Sequence, residues 1–300
     1  MRIEYDMTDL GKLNYFLGLE FIETASGSFL HQQRFINEVL KRFNMIECNS
    51  TTIPVIANLK LTNQSEEENV DASLYKQIIR SLRYICNSRP DINYGVGLLS
   101  RFMNEPKQSH MSVAKHVLRY LKGTIDYGLL FAKATTKLES TLEVWSDSNW
   151  SGDQVDRRST FGYFLKYVGA PISWCSKKQN MVALSSCEAE YIAFAETACQ
   201  CLWLEALLID LKLKYKKPVQ MMVDNKFAIS LSKNPVFHGR SKHISTKFHF
   251  LRDLVNHGRM KLVHYSTEVQ VVDIFTKPLR LNRFEKLREM LNVKSLCSLV

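Results

Sequence analysis

The chain has 300 residues, 45% hydrophobic and 11% aromatic, enough to bury a substantial core and to exclude disorder as its main state. With 12 glycines and 7 prolines it is neither collagenous nor low-complexity, and on length two domains are expected. Of the net charge of +10, residues 1–140 hold little, with 17 Lys+Arg against 15 Asp+Glu, while residues 141–300 carry 23 against 15, so the second part suits a polyanionic partner such as nucleic acid.

Residues 13–23 alternate loosely and residues 25–28 form a turn before Phe29 and Leu30, which predicts a β-hairpin. Phe35, Ile36, Val39, Leu40 and Phe43 have helical spacing, with Lys41 and Arg42 at the carbonyl end. Residues 49–71 hold Pro54, Asn63 and a run of three glutamates without a sustained period, the pattern of a surface connection. Helices are predicted at 72–87, 91–103 after Pro90, and 110–122 closed by Gly123. The aperiodic stretch 133–140 marks the expected boundary between a region 1–135 and a domain 136–300.

Beyond it the pattern changes. Residues 141–146, 160–168 and 171–176 read as three successive strands, the last two joined by Gly169. Residues 185–213 are helical and long enough for two helices, followed by a strand at 219–223, a helix at 241–256, a strand at 260–265 and a helix at 267–277 stopped by Pro278. The order βββααβαβα predicts a mixed sheet with flanking helices, an α/β (mixed α+β) domain.

No apolar run approaches the roughly 18 residues that cross a bilayer, and the acidic start lacks a signal-peptide core. The seven cysteines are odd in number, scattered and without CxxC spacing, so reduced thiols in an intracellular protein are expected.

Four acids stand where the local pattern calls for something else. Asp147 and Asp224 end predicted strands, Glu190 falls on an apolar helix face near Ala193 and Phe194, and Asp273 lies between Val272 and Ile274. Isolated acids at such places are mostly caps, turn formers or solvated groups; four at the ends of neighbouring elements of one sheet suggest a shared site. In-line hydrolysis of a phosphodiester is served by two divalent ions roughly 3.5–4 Å apart, and an all-oxygen ligand set favours Mg²⁺ or Mn²⁺. Four carboxylates in one basin repel each other and call for cations. Glu188 is assigned elsewhere, since Ser185 and Glu188 have the spacing of a capping box; Thr267 and Gln270 have it too, which predicts Asp273 in the second helical turn.

The runs WSDSNWSGDQVDRRSTFGYF, ISWCSKKQNMVALSSCEAEYIAFAETACQCLWLEALL, VDNKFAISLSKNPVFHGRSKHI and VVDIFTKPL resemble the RNase H domain of copia-type LTR retrotransposon polyproteins. Upstream, MTDLGKLNYFLGLEF, RSLRYICNSRPDINYGVGLLSRFMNEP and HVLRYLKGTIDYGLLF resemble the part of the same polyprotein's reverse transcriptase that follows the polymerase site. The resemblance covers almost the whole chain. It implies an RNase H-like mixed five-stranded sheet preceded by a hairpin and helical module, and cleavage of the RNA strand of RNA–DNA hybrids with Asp147, Glu190, Asp224 and Asp273 as the metal-binding tetrad. A catalytically inactive nucleic-acid-binding remnant is the alternative.

Three positions depart from the family pattern: no histidine lies between Tyr265 and Asp273, Arg80 stands where glycine is usual, and Val272 where alanine is usual. Reverse transcription needs an adjacent aspartate pair, which this chain lacks, so polymerisation is not expected of it and the missing polymerase part of a polyprotein is a candidate partner. Residues 15–18 match the family's primer-gripping hairpin, and an ordinary hairpin core explains them equally well.

Arg157, Arg158, Lys177, Lys178 and the lysines of 212–217 (Lys212, Lys214, Lys216, Lys217) are candidate phosphate contacts, with Trp174 and Tyr215 as interleaved aromatics. For 212–217 a solvated helix end is an equal alternative. His238, His243 and His249 match no zinc spacing and are read as structural. No membrane partner is expected; the expected compartment is a cytoplasmic virus-like particle or the nucleus.

Overall fold

A computed structural model describes residues 11–62, 66–133, 141–233 and 245–299. The predicted hairpin is present as β2 (Leu19–Thr24) and β3 (Gly27–His31), but the run before it bends. Leu17 and Gly18 both take positive φ, turning β1 (Tyr15–Phe16) back onto β2. The helices α1 (Gln33–Arg42), α2 (Ala72–Ile85) and α4 (Gln108–Gly123) lie within two or three residues of their expected bounds. The helix expected at 91–103 is instead three pieces, with α3 (Asn93–Leu99) between 3₁₀ turns at Pro90–Ile92 and Ser100–Phe102.

The strand β4 (Tyr127–Ala132) pairs antiparallel with β3, an element the reading in chain order misses because YGLLFA lacks alternation. Residues 134–140, most of the expected boundary, lie outside the described residues. The second sheet is β5 (Leu142–Asn149), β6 (Thr160–Tyr167), β7 (Ala170–Lys178), β8 (Val219–Val223) and β9 (Met260–His264), in spatial order β7-β6-β5-β8-β9. The meander is antiparallel, whereas β8 and β9 join parallel to β5. This is the mixed five-stranded sheet expected of the RNase H fold.

The helical stretch 185–213 is one helix, α5 (Ser186–Asp210), rather than two. No proline or glycine interrupts it. By length and hydropathy α5 would pass for a membrane span, contrary to the expectation from apolar runs; it lies on the second sheet, with Tyr191, Phe194, Ala198, Cys201 and Leu204 packed against Leu142, Val144, Val219 and Met221. Two helices, α6 (Lys226–Lys233) and α7 (Ser245–Asn256), pack beside α5 and against β9.

After β9 the expected helix 267–277 is replaced by a 3₁₀ turn, Thr267–Val269, and the four-residue α8 (Asp273–Thr276). Ser266, not Thr267, caps the turn, and Gln270 faces inward, donating to the Ser146 carbonyl at 3.1 Å. The chain then returns: α9 (Leu281–Met290) leads to β10 (Val293–Ser295), which pairs with β4 and completes the first sheet, β1-β2-β3-β4-β10. One apolar core runs through both parts, joining Ile79, Leu82 and Val117 to Trp145, Phe164 and Phe275.

Inside that core sits a fully buried ion pair, Arg89 Nη2 to Asp91 Oδ2 at 2.7 Å. Tyr120 donates to Asp91 at 2.6 Å, and Arg89 donates to the Thr124 carbonyl at 2.8 Å. Burial opposes ionisation of Asp91, yet the Arg89 charge and these bonds hold its carboxyl below the usual range. Arg89→Met strands that carboxylate, so chemical denaturation is expected to show a loss of about 3–5 kcal/mol; a loss below about 1 kcal/mol contradicts this account.

Candidate active site

The carboxylates gather where strand ends meet α5 and α8. Asp147 lies near the C-terminal end of β5, and Asp224 directly follows β8, which is parallel to β5. Glu190 reaches in from the first turns of α5, whose register is held by Ser146 and Thr197 hydroxyls 2.9 Å apart. Ser185 accepts from the Glu188 amide at 3.1 Å, and the Glu188 carboxylate accepts from the Leu184 amide at 2.8 Å, so Glu188 is engaged at the helix start.

Asp147, Glu190 and Asp224 each offer an oxygen, and these three atoms lie within 4.8 Å of one another. Asp147 and Glu190 are buried, 3% and 6% exposed. The Thr276 hydroxyl donates to Asp147 Oδ2, the Ser148 amide to Glu190 Oε1 at 3.3 Å, and the Thr267 hydroxyl to Asp224 Oδ2 at 3.3 Å. Glu190 Oε2 is buried without a hydrogen-bond partner. Burial, then the charge of Asp273, pushes the Asp147 carboxyl up to about 7. Burial, then Asp147 and Asp224, raises Glu190 well above the ordinary carboxylate range. Clustered, desolvated oxygens with one unpartnered acceptor fit a hard divalent cation such as Mg²⁺ or Mn²⁺.

Asp273 differs from expectation. It is the first residue of α8, not in a second turn, and lies outside the close group of three. Lys277 Nζ is 2.8 Å from its Oδ1 and Arg283 Nη2 is 3.1 Å from its Oδ2. The repulsion expected of four carboxylates is therefore relieved in part by the protein's own cations. Burial works against the Lys277 charge, but Asp147 and Asp273 outweigh it and raise its pKa. Sequence reading passed over Lys277, although its i, i+4 spacing from Asp273 is the signal of a helical ion pair. Arg283 carried no such signal, because only the turn between α8 and α9 brings it back.

Gly162 was also missed. It pairs with Asp147 across β5 and β6, and a Cβ there would lie 2.7 Å from Phe275 Cβ and 2.9 Å from Val272 Cγ1. The missing side chain lets α8 lie flat against the sheet beside Asp147. Gly162→Ala is expected to cost about 1–3 kcal/mol by overpacking and to weaken Mn²⁺ binding measured calorimetrically; unchanged stability and affinity would disconnect this contact from the site.

The basic candidates separate into two groups. The register Asp147–Gly162–Ser176 sets Lys177 and Lys178 level with the carboxylates and two strands over, roughly 10 Å away. Lys177 and Arg157 are exposed; Lys178 is held by Asp153 and Asp156 at 3.3 and 2.8 Å, and Arg158 lies 3.5 Å from Asp156. Trp174 faces inward, its indole donating to the Cys86 carbonyl at 3.1 Å. Lys212, Lys214, Lys216 and Lys217 are exposed ahead of β8, so they lie at the opposite end of that strand from Asp224, roughly 20 Å away. Tyr215 is covered by the Lys217 ammonium, 5.2 Å from its ring centre. His249 is exposed on α7 and His264 at the end of β9; His238 and His243 lie outside the described residues.

Residues 1–57 match the family described as reverse transcriptase (RNA-dependent DNA polymerase). The chain is 39% identical over 289 residues to the retrovirus-related Pol polyprotein from transposon RE1 of Arabidopsis thaliana, covering 96% of this chain and 20% of that protein. It is 36% identical over 301 residues to the Pol polyprotein from transposon TNT 1-94 of Nicotiana tabacum, covering 97% of this chain and 22% of the relative. The chain thus spans about a fifth of the length of these relatives. LC11-RNase H1, isolated from compost, superposes with a TM-score of 0.36 at 13% identity, over 46% of this chain and 93% of that one. Sequence likeness along nearly the full length, with the reverse-transcriptase match preceding the mixed sheet, answers the question of kinship: the chain belongs to the copia-type retrotransposon Pol family.

Proposed function

We propose that this chain is a metal-dependent endonuclease that cleaves the RNA strand of RNA–DNA hybrids and does not polymerise. The observation that carries the reading is the buried group Asp147, Glu190 and Asp224, with Glu190 Oε2 lacking a protein partner at the strand ends of an RNase H-type sheet. A divalent ion held by these three carboxylates would activate water and stabilise negative charge on a phosphodiester. Thr276, the Ser148 amide and Thr267 orient the three carboxylates. Exposed Lys177 and Arg157, on the same end of the sheet, contact phosphates of the hybrid, whose A-form shape rather than sequence is recognised.

The test is cleavage of a hybrid labelled on its RNA strand, with and without Mg²⁺, against single-stranded RNA and duplex DNA. Metal-dependent cutting of the hybrid RNA is expected. Hybrid binding without cutting would establish the inactive remnant instead. Lys177→Glu is expected to weaken hybrid binding and lower the slope of log K against log salt by about 1, whereas Lys216→Glu, at the far end of β8, leaves the slope unchanged. The reverse pattern in filter binding would move the substrate path to residues 212–217.

A further inference from the structure

Leu142, Val144, Val219 and Met221 point into the α5 core, so Glu143 and Trp145 of β5 and Gln220 and Met222 of β8 alternate onto the opposite face of the sheet. A cleft of about 470 Å³ opens on that face, walled by these four residues, by Tyr265 and by Lys216. Register sets its walls in rows. Trp145 lies level with Met222, and Glu143 lies level with Gln220 one row nearer the start of the strands. Tyr265 is half-buried at one end, its amide donating to the Val223 carbonyl at 2.7 Å, and Lys216 is exposed at the other. Trp145 is buried, and its indole N–H has no hydrogen-bond partner among the described residues.

We propose that this cleft binds single-stranded nucleic acid, with a base stacked on Tyr265 against Met222 and the strand's phosphates on Lys216 and its neighbours. The proposal goes beyond the hydrolytic reading and needs no metal. Its wall of aromatic rings and a thioether suits the flat face of any base. Gln220 and Glu143, side by side, offer a donor and acceptors to a base edge. The Glu143 charge, which phosphates would oppose, is offset by Lys166 directly across β5 and β6. Lys212, Lys214, Lys216 and Lys217 are all exposed at the same end, and the Lys214 carbonyl ties that loop to β6 by accepting the Tyr167 hydroxyl at 2.9 Å. An apolar peptide would fill the wall and leave the lysines unanswered, whereas a single strand answers both. A duplex keeps its bases paired inside and cannot offer one to the cleft, so the site is separate from the hybrid path at Lys177.

Fluorescence anisotropy of the full chain with a labelled oligo(dA) strand of about 15 nucleotides, in EDTA, tests the cleft without engaging the carboxylates. Lys216→Glu is expected to weaken binding at least fivefold and Lys177→Glu less than twofold, the reverse of their order on a blunt RNA–DNA hybrid. Tyr265→Ala is expected to lose at least fivefold and Tyr265→Phe less than twofold, because the ring rather than the hydroxyl makes the stack. Circular dichroism checks that both fold. Gln220→Glu changes an exposed side chain outside the core and is expected to lose at least threefold by repelling the strand. No binding of the oligonucleotide, equal losses for Lys216→Glu and Lys177→Glu, or unchanged affinity in Gln220→Glu and a folded Tyr265→Ala each overturn the proposal. Dimers in sedimentation that Gln220→Glu dissociates, without oligonucleotide binding, would give the cleft to a second copy of the chain instead. Hybrid cleavage enters none of these measurements, so its failure would bear on the hydrolytic reading alone.

Discussion

Asp147→Asn is expected to lower Mg²⁺-dependent hybrid cleavage by about 10³-fold, or roughly 4 kcal/mol of barrier, while hybrid affinity changes less than about threefold. The separation follows from geometry. The carboxamide keeps the size of the side chain, and its oxygen still accepts the Thr276 hydroxyl. What is lost is one of the three closely spaced charges proposed to hold the ion. Lys177, proposed as a phosphate contact, lies about two strands away and is untouched. The check is single-turnover cleavage alongside filter binding in Ca²⁺ or EDTA. Full Mg²⁺-dependent turnover by this variant would remove Asp147 from the site, and a parallel loss of binding would make its role structural.

Without metal, the same substitution is expected to stabilise the protein at pH 8 by roughly 2–4 kcal/mol, because the native state no longer has to ionise a buried acid. Burial and Asp273 raise the folded pKa of Asp147 to about 7, and burial with Asp147 and Asp224 raises that of Glu190. For an acid with a raised folded pKa, stability is fully present below the unfolded pKa near 4 and is lost as pH rises through the folded value. The metal-free wild type is thus expected to weaken between about pH 4 and 7, and Asp147→Asn to weaken less. Mg²⁺ offsets most of that difference, since it binds the ionised native site: at one hundred times its Kd it adds about 2.7 kcal/mol to the wild type. Asp273→Asn is expected to act oppositely to Asp147→Asn, destabilising the metal-free protein by about 1–3 kcal/mol as Lys277 and Arg283 lose their shared partner. Thermal melts across pH with EDTA or Mg²⁺ read all of this. Equal melting temperatures in EDTA and Mg²⁺ for the wild type would favour a folded remnant over an enzyme.

The sequence by itself determined the elements whose signals are local. The strand at 219–223, the helices at 33–42 and 72–85 and the meander follow from side-chain period and turn residues, which act within a few positions. Asp147, Glu190 and Asp224 were legible because each interrupts such a period: a carboxylate at a strand end or on an apolar helix face has a desolvation cost that a ligand must relieve. Tertiary structure decided what depends on distant partners. β10 is only three residues long and exists because β4, far away in sequence, offers its edge. The break at 270–273 exists because Gln270 satisfies the Ser146 carbonyl and Gly162 leaves room for Phe275, neither of which a capping pattern contains. The electrostatic state of Asp273 was decided in the same way: Lys277 stands one turn along the chain, but Arg283 reaches the second oxygen only because the chain turns back after Pro278, and a charge is set by all its neighbours in space rather than by those nearest in sequence.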